Sequence, residues 1–200
     1  ATEQWTLVSG PGTATIDDAS ATDTDVEVGT PGSYEFQYAV SNGSCGPTIA
    51  TTTVEFFQTP EITGITGDDV CGLVNTTVVA TLGDPGYAGD GVSPSYTWSV
   101  ETGPGTGTFT PGTSELNPEI EVTAYGTYTF TLTASVNGGQ CVTSTTSGPI
   151  DFNETPSGVT ADGTAGCDLT GTLNGSYTLG QGSATHLWTQ VSGPGTATFD

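Results

Sequence analysis

The sequence predicts an all-β protein made of tandem immunoglobulin-like (PKD-like) β-sandwich domains, and three observations lead to that prediction. Threonine, whose branched Cβ favours strands, occupies 41 of the 200 positions. The 30 glycines and 12 prolines stand between apolar runs, where turns are expected. The same landmarks return along the chain about every 90 residues, which indicates a repeat protein.

Three landmarks define the repeat. The segment "WTLVSGPGTATI" at Trp5 returns as "WSVETGPGTGTF" at Trp98 and as "WTQVSGPGTATF" at Trp188, at spacings of 93 and 90 residues. The other landmarks are a Gly-x-Tyr stretch, at Tyr34 and Tyr128, and a Thr-Pro pair followed by a cysteine, at Pro60 and Pro156. Three landmarks in a constant order make a chance similarity improbable.

The order of the landmarks divides the chain into three units. We expect residues 1–59 to be the C-terminal part of one repeat, residues 60–153 to be a complete repeat, and residues 154–200 to be the N-terminal part of the next. They are called the first, middle and third units below. We also expect the sequence to be a window on a longer array.

Within a unit, apolar and polar residues alternate with the period of a half-buried strand. In "TYTFTLTASV", Tyr128, Phe130 and Leu132 alternate with threonines, which predicts one buried and one hydrated face. Asn-Gly pairs at 42–43 and 137–138 indicate hairpin turns. In chain order, strands are predicted at residues 33–40, 48–57, 74–82, 96–100 and 127–136.

Five aromatic residues are predicted to lie in the cores. A buried Trp on a central strand is typical of immunoglobulin-type sandwiches, which predicts core positions for Trp5, Trp98 and Trp188. The Gly-x-Tyr pattern before a long strand is similar to a tyrosine corner and adds Tyr34 and Tyr128. Stacking of the Trp side chains on sugars is the alternative, which their repetition at an internal strand disfavours.

The charge composition excludes several functions. The chain has 22 acidic residues and no Lys or Arg, so its formal net charge is −22. Nucleic-acid backbones and anionic lipid surfaces need basic side chains, so neither is an expected partner. P-loop and kinase chemistry need a lysine that is absent. No apolar run approaches 18 residues, so direct membrane insertion is not expected.

The ordered motifs "WTQVSGPGTATF", "YGTYTFTLT" and "NGGQC" resemble the PKD-like or Ig-like tandem modules of large Bacteroidetes surface adhesins of the gliding-motility SprB kind. The resemblance covers essentially the whole chain, although the "WDFGDG" run of classical PKD domains is absent. It implies an extracellular, outer-membrane-attached stalk or adhesin segment, exported by the type IX route.

In a secreted β-domain, regularly placed cysteines suggest disulfides. Each repeat has two cysteine positions. The chain has no Cys-x-x-Cys pair, so the cysteines do not indicate a zinc site. Our first prediction is Cys71–Cys141 within the middle unit, although the immunoglobulin topology would put these positions at opposite ends. The alternative is Cys45–Cys71 together with Cys141–Cys167, which would link neighbouring units.

Acidic loops are the candidate metal sites. Asp17, Asp18, Asp23 and Asp25 lie in one short segment, and calcium, the one cofactor considered, prefers such oxygen ligands. Further acidic pairs are Asp68 with Asp69 and Asp84 with Asp90. No EF-hand spacing is present, and a solvated acidic surface is the alternative interpretation.

The predicted function is structural: a stalk or spacer segment of a secreted cell-surface adhesin or surface filament, used in gliding motility or surface attachment. The expected partners are neighbouring repeats of the chain, surface glycans and other cell-surface proteins. The alternative is a carbohydrate-binding accessory module. We expect no enzyme, because His186 is the single histidine and no unit carries a catalytic constellation of its own.

Overall fold

The computed structural model describes residues 1–83 and 93–199. Within these ranges the regular secondary structure is β-strand except for one 3₁₀ turn at Asn137–Gly139, and no α-helix is present, which confirms the predicted all-β class. None of the described residues forms a helix that is long and apolar enough to cross a membrane. The strands are β1 (Thr2–Ser9), β2 (Ala14–Ile16), β3 (Val26–Val28), β4 (Gly32–Asn42), β5 (Cys45–Phe56), β6 (Ile62–Gly67), β7 (Val70–Cys71), β8 (Asn75–Leu82), β9 (Ser95–Thr102), β10 (Gly107–Thr110), β11 (Glu119–Val122), β12 (Gly126–Val136), β13 (Cys141–Thr146), β14 (Ile150–Asn153), β15 (Ser157–Thr164) and β16 (Thr172–Thr178).

The middle unit is a sandwich of two sheets. One sheet has the order β10-β11-β8-β6; the other has β12 at its centre, between β9 and the successive strands β13 and β14. β13 pairs with residues 131–136 of β12 and β14 with residues 126–128, so together they act as one interrupted strand. β7 pairs in parallel with β14. This is the strand arrangement of an immunoglobulin-type sandwich.

The core of the middle unit follows from the alternation along β12. Tyr128 and Phe130 are fully buried, whereas the threonines beside them are exposed or half-buried. Val78 and Ile120 of the facing sheet and Trp98 of β9 belong to the same buried cluster. The two sheets therefore pack face to face, and each large apolar side chain buried between them contributes about 1.5–3 kcal/mol.

The first unit repeats the second half of this sandwich. β1, β4 and β5 form one sheet, and β2 pairs with β3. Trp5 lies opposite Tyr38 of β4, as Trp98 lies opposite Leu132 of β12. Tyr34, at the start of β4, is fully buried. The landmarks of the repeat thus occupy matching strand positions in the two units.

The third unit contains the β15–β16 hairpin, and no strand is present at residues 179–199. The Trp188 side chain is 38% exposed, and its core position stays a prediction because the third unit is only the N-terminal part of a repeat. The Trp188 ring lies beside Gly175 of β16. The long central strand that covers Trp98 in the middle unit has no counterpart among residues 154–199.

Candidate functional site

The best-defined cluster of repeated residues is a tyrosine corner. The buried Tyr128 hydroxyl donates a hydrogen bond to the carbonyl oxygen of Ala124 at 2.8 Å. In the first unit, the Tyr34 hydroxyl donates to the carbonyl oxygen of Thr30 at 2.7 Å. In both units the bond reaches back four residues and ties the chain before the central strand to the start of that strand.

The Gly-Pro-Gly landmark packs against this tyrosine. A Cβ at Gly103 would overlap the Tyr128 ring, and a Cβ at Gly105 would lie 2.9 Å from the Tyr128 hydroxyl oxygen. Pro104 covers Gly126, whose Cβ would lie 2.7 Å from the Pro104 Cγ. Glycine is needed at these positions because the turn approaches the ring more closely than a side chain allows.

The first unit has the same contacts. A Cβ at Gly10 would overlap the Tyr34 ring, and a Cβ at Gly12 would lie 3.0 Å from the Tyr34 hydroxyl oxygen. Pro11 covers Gly32, with 2.8 Å between the Pro11 Cγ and the position of a Gly32 Cβ. Two landmarks that are separated in sequence therefore form one contact, the turn-on-tyrosine brace. Sequence reasoning identified both landmarks but not this contact.

Replacing Tyr128 with Phe removes the corner hydrogen bond and leaves the Ala124 carbonyl without its partner. We expect the middle unit to lose about 1–2 kcal/mol of unfolding free energy. The measurement is urea unfolding followed by circular dichroism. Tyr177→Phe is the control, because that ring is 43% exposed on β16; an equal loss in both variants would contradict the role of the corner bond.

The tryptophans of the first two units differ in whether the indole N–H has a hydrogen-bond partner. Trp98 is 2% exposed, and its Nε1 donates to the carbonyl oxygen of Glu115 at 2.9 Å. Trp5 packs on Tyr38, with ring centroids 4.7 Å apart, and its buried Nε1 has no hydrogen-bond partner among the described residues. Because Trp98 is closed off from solvent, it has no face on which a sugar could stack.

The predicted disulfide Cys71–Cys141 is not formed. Cys71 lies opposite Asn153 of β14, at the end of the unit where β12 begins. Cys141 lies opposite Val136, where β12 ends. The 11 residues of β12 separate the two ends by roughly 33 Å, whereas a disulfide needs Cα atoms within about 7 Å.

The alternative pairing, Cys45–Cys71 with Cys141–Cys167, is not formed either, and all four cysteines are free. Cys45 begins β5, and the other end of that strand leads into the middle unit. Cys71 lies at the end of the middle unit that contacts the third unit, with its Sγ 3.8 Å from the Thr155 Oγ1. Each of these two thiols is therefore remote from the connection between their units.

We expect all four thiols to titrate with a chromogenic disulfide reagent in the folded chain, because none has a partner within reach. The Cys71→Ser variant is the control and should lose one equivalent. After mild oxidation by dissolved oxygen, mapping with a Glu-specific protease under non-reducing conditions should yield no peptide that joins Cys71 to Cys141. Recovery of that peptide would contradict the geometry.

The acidic segment at residues 17–25 is closed by its own hydrogen bonds. The Asp18 carboxylate accepts from the Ser20 hydroxyl at 2.7 Å and from the Ser20 N–H at 2.9 Å. These two bonds lower the pKa of Asp18. The Asp17 N–H donates to the Asp25 carbonyl oxygen at 3.0 Å. The Asp18 carboxylate therefore accepts hydrogen bonds from its own loop.

The calcium candidates Asp17, Asp18, Asp23 and Asp25 are therefore not gathered into a site. Across residues 1–83 and 93–199, no three His, Cys, Asp or Glu side chains come close enough to hold a metal ion. Asp69 has a structural contact instead, since its carboxylate accepts from the Asp151 N–H at 2.8 Å. Asp84 and Asp90 lie outside the described residues.

A cleft among the described residues belongs to the third unit. It has a volume of about 750 Å³ and lies between β15, β16 and residues 184–188. His186 lines it and lies near Tyr177, with ring centroids 5.4 Å apart. The other residues that line the cleft carry apolar and hydroxyl side chains, with no carboxylate or thiol among them. Its position matches the sandwich interior of the middle unit.

Comparisons with known proteins add little. No family model matches the chain, and no curated protein matches it. Among solved structures, the chain is similar to "Crystal structure of the S-layer protein SbsC domains 4 and 5", with 15% identity over 75% of this chain and 70% of that chain, and a TM-score of 0.29. A similarity at that level supports no conclusion about function.

Proposed function

We propose that the chain is a structural segment, a stalk or spacer, of a secreted protein exposed at a cell surface, and that it has no catalytic role. The observation that carries the proposal is the connectivity of the middle unit. The chain enters β6 at Ile62 and leaves β14 at Asn153. Because β6 leads into β7, and β7 runs parallel to β14, entry and exit lie at opposite ends of the sandwich.

That connectivity suits a spacer that carries load. A force between residues 62 and 153 acts along the strands and loads the β7–β14 pair in shear, so that several hydrogen bonds must break together. The Gly72 N–H donates to the Asn153 carbonyl oxygen at 2.8 Å. The Asp69 carboxylate accepts from the Asp151 N–H, also at 2.8 Å. These contacts join the residues on either side of β7 to β14, the last strand of the unit.

The charge of the chain supports the same proposal. A net charge of −22 without Lys or Arg makes repeats of this kind repel one another at low salt, which favours an extended array. Trypsin, which cleaves after Lys and Arg, has no site in the 200 residues. The finer proposal, an outer-membrane-attached adhesin stalk of the type IX route that serves gliding or attachment, rests on the motif resemblance alone.

Single-molecule pulling tests the load-bearing role. Stretched between its ends, the chain should show one force peak for the middle unit. Asp69→Ala should lower that force, because it removes the acceptor of the Asp151 N–H. Asp68→Ala is the matched control, since it changes the charge equally at the neighbouring position. Extension without a peak, or equal forces in the two variants, would remove the proposal.

The carbohydrate-binding alternative has a separate test. The 200-residue chain is mixed with insoluble polysaccharides and applied to a glycan array. We expect the polysaccharides to retain no more of the chain than of a similarly acidic reference protein. Saturable retention of the chain would favour the carbohydrate-binding module over the stalk. Calcium stays a prediction for the segment at residues 17–25, and equal melting temperatures in EDTA and in calcium would eliminate it.

A further inference from the structure

The connection between the middle and third units is short and partly fixed by proline. β14 ends at Asn153 and β15 begins at Ser157, so three residues join the two units. The ring of Pro156 fixes its own φ angle, and the same ring keeps the preceding Thr155 extended. Glu154 is therefore the one linker residue whose backbone proline does not restrict.

The two linker side chains before the proline contact one unit each. On the side of the middle unit, Thr155 lies over Gly72, because a Cβ at Gly72 would lie 2.5 Å from the Thr155 Oγ1. The same Oγ1 lies 3.8 Å from the Cys71 Sγ. On the side of the third unit, the Glu154 carboxylate accepts a hydrogen bond from the Gly180 N–H at 2.7 Å. The linker is thus bound to both units.

A further contact joins the two units directly. Gln181 follows β16, and its Oε1 lies 2.8 Å from the position of a Cβ at Gly126. Gly126 begins β12 and is the residue that Pro104 covers in the turn-on-tyrosine brace. Its φ angle of 140° lies in the region that favours glycine. The absence of a side chain at Gly126 therefore leaves room both for the brace and for the next unit.

The residues of this junction recur in the sequence. Residues 58–60 are Gln-Thr-Pro, as residues 154–156 are Glu-Thr-Pro, and Thr-Leu-Gly occurs at 81–83 and at 178–180. At the preceding junction the N–H of the Thr-Leu-Gly glycine donates to the Glu61 carbonyl oxygen at 2.9 Å, so its partner differs from that of Gly180. The contacts of the second junction all use residues between 71 and 181, away from both ends of the sequence.

We propose that the far end of the middle unit is a docking surface for the beginning of the next repeat, and that Glu154, Thr155 and Gln181 hold the two units in one orientation. Domains within a chain usually move relative to each other unless their interface is large and apolar. Here the short proline-containing linker, bound on both sides, takes the place of a large interface. The inference rests on the proposed spacer role and deepens it, because a spacer keeps its length only if its units do not swivel.

Residual dipolar couplings of the full chain in a stretched neutral gel measure this joint. In the parent chain, one alignment tensor should fit the amides of β12 and those of the β15–β16 hairpin. Glu154→Ala removes the acceptor of the Gly180 N–H, and Gln181→Ala removes the contact with Gly126. Each variant should lower the couplings of the hairpin relative to those of β12 and require a second tensor. Two tensors in the parent, or one tensor in either variant, would overturn the proposal.

Two further variants separate the hydrogen bond from the charge. Asp162→Ala removes one negative charge from an exposed position on β15 and should keep the common tensor. Glu154→Gln keeps an acceptor oxygen at the same place and should keep it as well. The Gly180 amide should exchange roughly tenfold faster in Glu154→Ala than in the parent, and at the parent rate in Glu154→Gln. Equal loosening by Asp162→Ala would contradict the role of the bond.

Failure of the joint and failure of the spacer role give different results. The pulling experiment reports on the β7–β14 pair inside the middle unit, whereas the dipolar couplings report on the connection between two units. A middle unit that shows its force peak beside a third unit that swivels would overturn the joint and leave the spacer role standing. A common tensor in a chain that extends without a force peak would do the reverse.

Discussion

Replacing Trp98 with Ala should destabilise the middle unit by about 3–5 kcal/mol, the largest effect that we expect from any single substitution. The side chain is 2% exposed, and its ring centroid lies 6.3 Å from that of Phe109. Its Nε1 donates a hydrogen bond to the Glu115 carbonyl oxygen. The variant loses the buried apolar area and the hydrogen bond, and a cavity remains between the sheets.

The third unit supplies a matched control for this substitution. Trp188 occupies the same landmark but is 38% exposed, so Trp188→Ala should cost less than about 1 kcal/mol. Hydrogen exchange of the β12 amides in both variants measures the stability of the middle unit directly. Equal protection of β12 in the two variants would mean that the Trp98 contacts do not hold the sandwich together.

Gly103→Ala should cost the middle unit about 2–3 kcal/mol although it adds a single methyl group. The new Cβ would overlap the ring of Tyr128, which is fully buried and held by its bond to the Ala124 carbonyl oxygen. The ring cannot move away without breaking that bond or displacing Phe152, which packs edge-on against it at 5.4 Å.

Gly148→Ala is the control for this second prediction, because a Cβ at Gly148 meets nothing within 4 Å. Urea unfolding should separate the two alanine variants clearly. A midpoint for Gly103→Ala as high as that of Gly148→Ala would show that the turn can move away from the tyrosine. Gly10→Ala probes the equivalent contact with Tyr34 in the first unit.

The strands and the core of the middle unit were predictable from local pattern. Tyr128, Phe130 and Leu132 are spaced two residues apart, and a strand places such residues on one face. The structure buries all three. The corner position of Tyr128 was also predictable, because Gly-x-Tyr before a long strand is a local signal. Gly103 and Gly105 were predicted only as turn residues, and no local signal indicates that they contact Tyr128, which follows them by 25 and 23 residues.

The pairing of the cysteines could not be predicted from the sequence pattern. Their regular spacing suggested disulfides, but spacing along the chain carries no information on which end of a sandwich a residue occupies. Cys71 and Cys141 lie at opposite ends of β12 because β7 pairs with β14, whereas β13 pairs with the far half of β12. The expected immunoglobulin topology argued against the Cys71–Cys141 disulfide, and the observed strand pairing excludes it.

By itself, the sequence determined the all-β class, the repeated landmarks, the uniform negative charge and the buried face of each long strand. These are properties of composition and of local periodicity, and a few neighbouring residues suffice to express them. Only the tertiary structure decided that Gly-Pro-Gly braces the tyrosine, that the Trp98 Nε1 donates to the Glu115 carbonyl oxygen, and that Cys71 and Cys141 lie at opposite ends of the sandwich. Each of these depends on which strands become neighbours in space, and long-range strand pairing decides that.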